Sequence, residues 1–145
     1  MSQENVEIVR LLQPGADVDL VALFRDDDAA GDLAKMFAGF FHPDCECVLH
    51  YPGTEPVIYR GLEGTRTVWR DWLAPWASYR SNIEDLIDAG DRVVVLVRDY
   101  GRREPGVPEV AMIAAAVWTV RERKIARADF YTSRVEALEA VGLAE

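Results

Sequence analysis

Two cysteines and two histidines among 145 residues leave little with which to build a disulfide framework or a metal centre. Cys45 and Cys47 are separated by a single residue, and no third thiol exists to pair with either. A reducing, cytoplasmic setting is the expectation. Long apolar runs are also lacking: no stretch approaches the ~18–20 apolar residues of a membrane span. The start, Met1-Ser2-Gln3-Glu4-Asn5, has neither the basic residues nor the apolar run of a signal peptide. Positive charge is scarce, with 16 Lys+Arg against 25 Asp+Glu and a formal net charge of −9. Nucleic acid and anionic membrane surfaces would repel such a chain, so neither is an expected partner. There is no glycine-rich phosphate loop, no G-x-S-x-G and no cofactor motif, so no cofactor is expected. Repeats, linkers and low-complexity stretches are missing as well, which leaves one domain over 1–145.

What is present is a globular composition, half of it hydrophobic. The first third reads as helices. Ser2 can cap a segment with Val6, Val9 and Leu12 at helical spacing, stopped by Pro14-Gly15. Asp17 can cap a short second one carrying Leu20, Val21 and Phe24. Asp26-Asp27-Asp28 reads as a solvated helix end. A third helix from about Ala29 or Asp32 sets Leu33, Met36, Phe37, Phe40 and Phe41 on one face, and His42-Pro43 closes it. An extended segment, Cys45 to Tyr51, leads into a turn-rich stretch from Pro52 to Arg60. Helix returns from Gly61 to Ala77, with Val68, Trp69, Trp72, Leu73 and Trp76 as its apolar stripe. The remainder alternates strands and turns: Ile83 to Ile87, Arg92 to Tyr100, Val110 to Val120 and Ile125 to Tyr131. Short connections make these neighbours antiparallel. Ser133-x-x-Glu136 is a capping box for a last helix ending at Gly142.

Val93 to Val97 and Ala111 to Val120 are apolar on both faces, so both sides of the sheet must be covered. Helices can cover one side, and a second copy of the chain is the economical cover for the other. A homodimer through the sheet is therefore expected.

Several phrases carry a family resemblance. Met1-Ser2-Gln3-Glu4-Asn5-Val6-Glu7-Ile8-Val9, His42-Pro43-Asp44, Tyr59-Arg60-Gly61, Ala89-Gly90-Asp91-Arg92-Val93 and Ala128-Asp129-Phe130-Tyr131-x-x-Arg134-x-Glu136-Ala137-Leu138 are similar to the SnoaL-like branch of the nuclear transport factor 2-like superfamily. The resemblance spans nearly the whole chain. It implies an α+β, cone-shaped roll, with helices packed on a curved, mostly antiparallel sheet around an apolar pocket. One face of each strand would line that pocket. By period-two alternation the inward sets are Cys45, Cys47, Leu49 and Tyr51; Val93, Val95, Val97 and Asp99; Ala114, Ala116 and Trp118; and Ala126, Ala128 and Phe130. Ile125, Arg127, Asp129 and Tyr131 share the opposite face, read as a dimer contact.

The same resemblance argues against two known chemistries. Ketosteroid isomerases place a carboxylate base on the first strand, where this chain has Leu49, or His50 or Tyr51 with a gap. Their donor Asp falls on Ala116, which cannot donate. Limonene epoxide hydrolases use an Asp–Arg–Asp set. Asp99 matches the acid, but Val97 stands for the Arg and Phe130 for the base Asp, and Cys47 and Leu49 replace the water-holding pair. What survives is a cone with a lone inward carboxylate. Asp99 and Tyr51 are the candidate catalytic groups, and Trp69, Trp72, Trp76, Phe130, Leu49, Val97 and Ala116 the candidate walls for a small apolar molecule. Burial would raise the Asp99 pKa, fitting a general acid or ligand anchor, whereas Arg98 or Arg102 could instead neutralise it at the strand's mouth. Cofactor-free isomerisation, cyclisation or dehydration would suit such a site. The alternative is a non-catalytic assembly or sensing module whose tryptophans fill the cone. His42-x-x-Cys45-x-Cys47-x-x-His50 has zinc-ligand types, but alternate strand residues stand roughly 7 Å apart, too far for two thiolates on one ion. That distance also strains a Cys45–Cys47 disulfide. His50, of opposite parity, is read as a rim residue unless Pro52 forces a bulge.

Overall fold

A computed structural model describes residues 2–143. Helix α1 is Ser2–Leu11, α2 Leu20–Arg25 and α3 Asp27–Phe40, followed by strands β1 (Phe41–His50) and β2 (Val57–Arg60). Helix α4 is Gly61–Leu73, the strands β3 to β6 are Ser78–Ala89, Arg92–Arg102, Val110–Arg121 and Lys124–Tyr131, and α5 is Arg134–Ala140. The six strands form one sheet in the order β2-β1-β6-β5-β4-β3, with β1 and β6 parallel and all other neighbours antiparallel. The sheet is curved and open, and the helices of the first half pack into its concave side. This is the expected α+β roll.

Local chemistry sets the helix boundaries. The expected Ser2 cap lies outside the described side chains. Asp19, rather than Asp17, caps α2: its Oδ1 accepts from the Val21 amide at 3.1 Å and from the Tyr79 amide at 3.1 Å, tying α2 to β3. Asp26 caps α3 by accepting from the Asp28 and Ala29 amides, both at 3.0 Å, so the acidic run is a helix start. Phe41 leaves the helix and opens β1. In the stretch read as turns, Val57–Arg60 pairs with β1 as an edge strand. Ser133 accepts from the Glu136 amide at 3.3 Å, half of the expected capping box.

The core lies between α1, α3 and α4 and the inner sheet face, where Val9, Phe41, Val68, Val93, Val95, Trp118, Ile125 and Ala128 are buried. Ile125 is a correction. Alternation put it on the outer face, but the β5–β6 register shifts between Thr119 and Val120, making Ala126 an extra residue and turning Ile125 inward. The outer face carries a second correction. Over Val94, Ala115 and Val117 its cover is α5, through Ala137, Leu138 and Val141. The two-sided apolar pattern of β4 and β5 therefore needs no second copy at that point.

A small cluster of Leu20, Val21, Leu73, Trp76 and Tyr79 closes one end of the roll. Gly101 on β4 lies directly beneath Trp76: a Cβ there would stand 2.5 Å from both Cε3 and Cζ3 of the ring. Gly101→Ala should cost ~1–3 kcal/mol through overpacking, measured by urea denaturation. Trp76→Leu in the same chain should recover most of that loss, and an undiminished penalty in the double variant would dissociate the cost from the ring.

Candidate functional site

Inward side chains of β1, β4, β5 and β6 and the apolar stripe of α4 enclose a cavity between sheet and helices. Its lining includes Leu49 and Tyr51, Trp69 and Trp72, Val97 and Asp99, Ala114 and Ala116, and Trp118 and Phe130. Within it the centres of water-sized molecules have about 110 Å³ to occupy. The walls are mostly aromatic: Trp69 and Trp118 both meet Phe130 edge to face, at 5.8 and 6.0 Å. Tyr51 is 38% exposed and stacks on Trp72 at 6.5 Å.

Asp99 is the polar centre of this space. Its Oδ2 accepts from the Tyr79 hydroxyl at 2.5 Å and its Oδ1 from the Ser81 hydroxyl at 2.6 Å. Burial pushes the Asp99 pKa above the usual carboxylate range, and the hydroxyls of Ser81 and Tyr79 oppose that rise. Arg98 and Arg102, offered as neutralising partners, are engaged elsewhere: Arg98 donates to Glu84 at 3.0 Å and Arg102 to the Val107 carbonyl at 2.7 Å. Tyr79 is itself pushed up, first by burial and then by the charge and hydrogen bond of Asp99, so its phenol stays protonated and donates. Burial also raises Tyr51. The orphan of the lining is Trp118, whose Nε1 is the buried side-chain nitrogen or oxygen left without a partner among the described residues.

Tyr79 and Ser81 escape a sequence reading because the strand signal starts at Ile83, in the apolar half of β3. The hairpin at Ala89-Gly90-Asp91-Arg92 supplies a signal that extends further. Counting back from Ala89↔Arg92 without interruption would set Asn82 opposite Asp99. The register shift between Ile83 and Asp85 sets Ser81 there instead. Trp76 is a further correction: it lies beyond the end of α4 and outside the cavity lining, edge-on to Tyr79 at 5.5 Å and capped by the Arg103 guanidinium at 4.4 Å.

A SnoaL-like domain model matches residues 17–128, more than half of the sequence. The chain belongs to the SnoaL-like family. Among solved structures, a protein from Jannaschia sp. CCS1 described as a SnoaL-like polyketide cyclase is 17% identical, with 99% of this chain and 94% of that one covered at a TM-score of 0.67. TerC, co-crystallised with polyporic acid, is 21% identical over 95% of this chain and 98% of its own, at 0.62. A Catenulispora acidiphila protein of ketosteroid isomerase-like fold, in complex with trimethylamine, is 22% identical over 77% and 80%, at 0.56. At these identities the likeness is one of fold. No curated protein matches the chain.

Gln13, His50, Tyr131 and Thr132 also border the cavity of this SnoaL-like chain, away from Asp99. On the outer sheet face Asp129, 7% exposed, accepts from Arg127 Nε and Nη2 at 2.9 Å each and from His50 Nε2 at 2.7 Å. His50 stacks on Tyr131 at 4.2 Å. His50 thus keeps the strand's alternation, with its ring held by Asp129. Cys45 and Cys47 are free, buried thiols that both meet the Thr65 hydroxyl, at 3.6 and 3.7 Å. Burial pushes the Cys47 thiol up to about 12, which leaves it a poor nucleophile. Among the described residues no cluster of three His, Cys, Asp or Glu side chains could hold a metal ion. Nor is any described helix long and apolar enough to cross a membrane.

Proposed function

We propose that this chain binds a small, largely apolar molecule in its cone, with Asp99 as the polar contact and, where the molecule is turned over, the proton-transfer group. The observation that carries this reading is an aromatic-walled cavity reaching a buried carboxylate that two hydroxyls hold in place. One water needs roughly 10–15 Å³ of such space. The cavity's about 110 Å³ therefore holds several waters, room for a small organic molecule. A tryptophan-filled module would leave no such space. Tyr51, on the lining and partly exposed, would be a second donor at the rim. Cofactor-free isomerisation, cyclisation or dehydration suits a single carboxylic acid or carboxylate in dry surroundings. The neighbours add support: one is described as a cyclase, and two hold small organic molecules. Buried free thiols accord with a cytoplasmic setting. A second copy would sit on the part of the sheet that α5 leaves open, where Ile113 of β5 is 49% exposed.

A native mass spectrum of protein purified from its own host tests the reading. The expected spectrum is a dimer carrying a small molecule, and Ala114→Phe, which fills the cavity from its lining, should lose the molecule while keeping the fold by circular dichroism. Retention of the same molecule by the filled variant would remove the cavity as its site. A monomer at micromolar concentration would rule out the dimer alone.

A further inference from the structure

We infer that the preferred occupant of this cavity is a hydrophobic amine in its protonated form, its ammonium set against Asp99 and its carbon skeleton among the aromatic walls. The inference rests on the reading of the cavity as a ligand site and narrows it to one charge type. Asp99 carries the sole carboxylate of the lining, no lysine or arginine joins it there, and the one imidazole on the lining, His50, is paired with Asp129. The nearest arginines in sequence are spoken for by Glu84 and the Val107 carbonyl, and Arg127 is bound to Asp129 on the opposite sheet face. A carboxylate or phosphate ligand would enter an apolar space with no counter-charge and meet Asp99 head on. A neutral hydrocarbon would fill the walls and strip the carboxylate of water without replacing it. A cation does both jobs, since charge buried in such surroundings is tolerated when paired and hydrogen-bonded.

Geometry supplies the rest of the cation's environment. A carboxylate has about four acceptor sites. The hydroxyls of Tyr79 and Ser81 use one on each oxygen, leaving acceptor capacity for an N–H donor. The ring walls, Trp69, Trp72, Trp118 and Phe130, offer the apolar surface that the amine's carbon skeleton would cover. The net charge of −9 draws cations rather than anions toward the molecule.

Isothermal titration calorimetry at neutral pH with benzylammonium and 2-phenylethylammonium chlorides, set against benzyl alcohol and 2-phenylethanol, separates charge from shape. The amines should bind about tenfold or more tighter than the matched alcohols, the margin of a charge-assisted bond to Asp99. Asp99→Asn should erase that margin with alcohol affinity retained. Equal affinity of amine and alcohol for the native protein, or an amine preference that survives Asp99→Asn, would overturn the inference and leave the cavity reading standing. If neither pair binds to folded native protein, the cavity reading falls and takes the inference with it.

Discussion

Phe41→Ala should cost this protein ~3–5 kcal/mol, the range for deleting a buried phenylalanine ring. Phe41 is 1% exposed and stands where three elements meet. It is the first residue of β1, its ring centroid lies 5.1 Å from Phe37 on α3, and it meets Trp118 of β5 edge to face at 6.1 Å. Its backbone partner in β6 is Ile125, itself fully buried. The void that alanine would leave is bordered by the rings of Phe37 and Trp118, which sit on two different elements. Domains of this class are stable by ~5–15 kcal/mol, so the variant surrenders a large share of the total. For a chain of this size each kcal/mol moves the melting temperature by about 3 °C, so a drop of about 9–15 °C is expected in calorimetry. A loss within 1 kcal/mol would mean that Phe41 is not a keystone between α3 and the sheet. Because Trp118 lines the cavity, the same variant should loosen one of its walls.

Phe41 also shows how far the sequence carries. Its spacing with Phe37 and Phe40 reads as the end of a helical stripe, and only the His42-Pro43 pair hints that the chain has already turned extended. Either way the side chain faces the core, so the error in element leaves the burial right. The same robustness explains why Asp99 was legible: strand alternation from Val93 through Val97 fixes its face without knowledge of any partner. Alternation fails where a residue is inserted. The shift around Ala126 turns Ile125 inward, and the shift around Glu84 substitutes Ser81 for Asn82 beside Asp99. Neither leaves a mark in composition, since a bulge is a property of the pairing and not of one strand. Trp76 illustrates a different limit. A helical stripe extrapolated past Leu73 places it on the cavity wall, but α4 ends there and the next turn swings the ring onto Gly101. The edge strand Val57–Arg60 hid behind Pro52 and Pro56, because a strand of four residues is too short for alternation to show. Part of the outer face of β4 and β5 is covered by the seven-residue α5, too short to stand out as a layer, while Val110 and Ile113 farther along β5 are exposed.

Asp99→Asn should abolish any proton transfer at the site while making the protein more stable at neutral pH, a pairing of effects that a merely structural carboxylate would not give. Burial holds the folded Asp99 carboxyl above its unfolded value, so folding favours the neutral acid. Below the unfolded value of about 3.9 both states are protonated and nothing is lost. As pH rises from there through the raised folded value, the unfolded chain ionises first and stability declines. Above the folded value the deficit is constant. Asparagine never ionises, so the variant should lack this decline and melt higher than the native protein at pH 7, with the two curves converging in acid. Its amide fits between Tyr79 and Ser81 because a hydroxyl can accept as well as donate. General acid–base groups contribute about 10²–10⁴ in rate, and that factor should vanish from any turnover of the bound molecule, since an amide neither gives nor takes a proton at this pH. Two measurements on one variant therefore decide the matter: thermal melts across pH 3 to 8, and activity toward whatever the host-purified protein carries. A variant that melts lower than native at pH 7 would show that the Tyr79–Asp99–Ser81 bonds outweigh burial and that the carboxylate is there to hold β3 to β4. A variant that melts higher yet turns over at the native rate would leave Asp99 as a strained group with no part in the chemistry. Stability gained where activity is lost is the signature of a site kept strained for function.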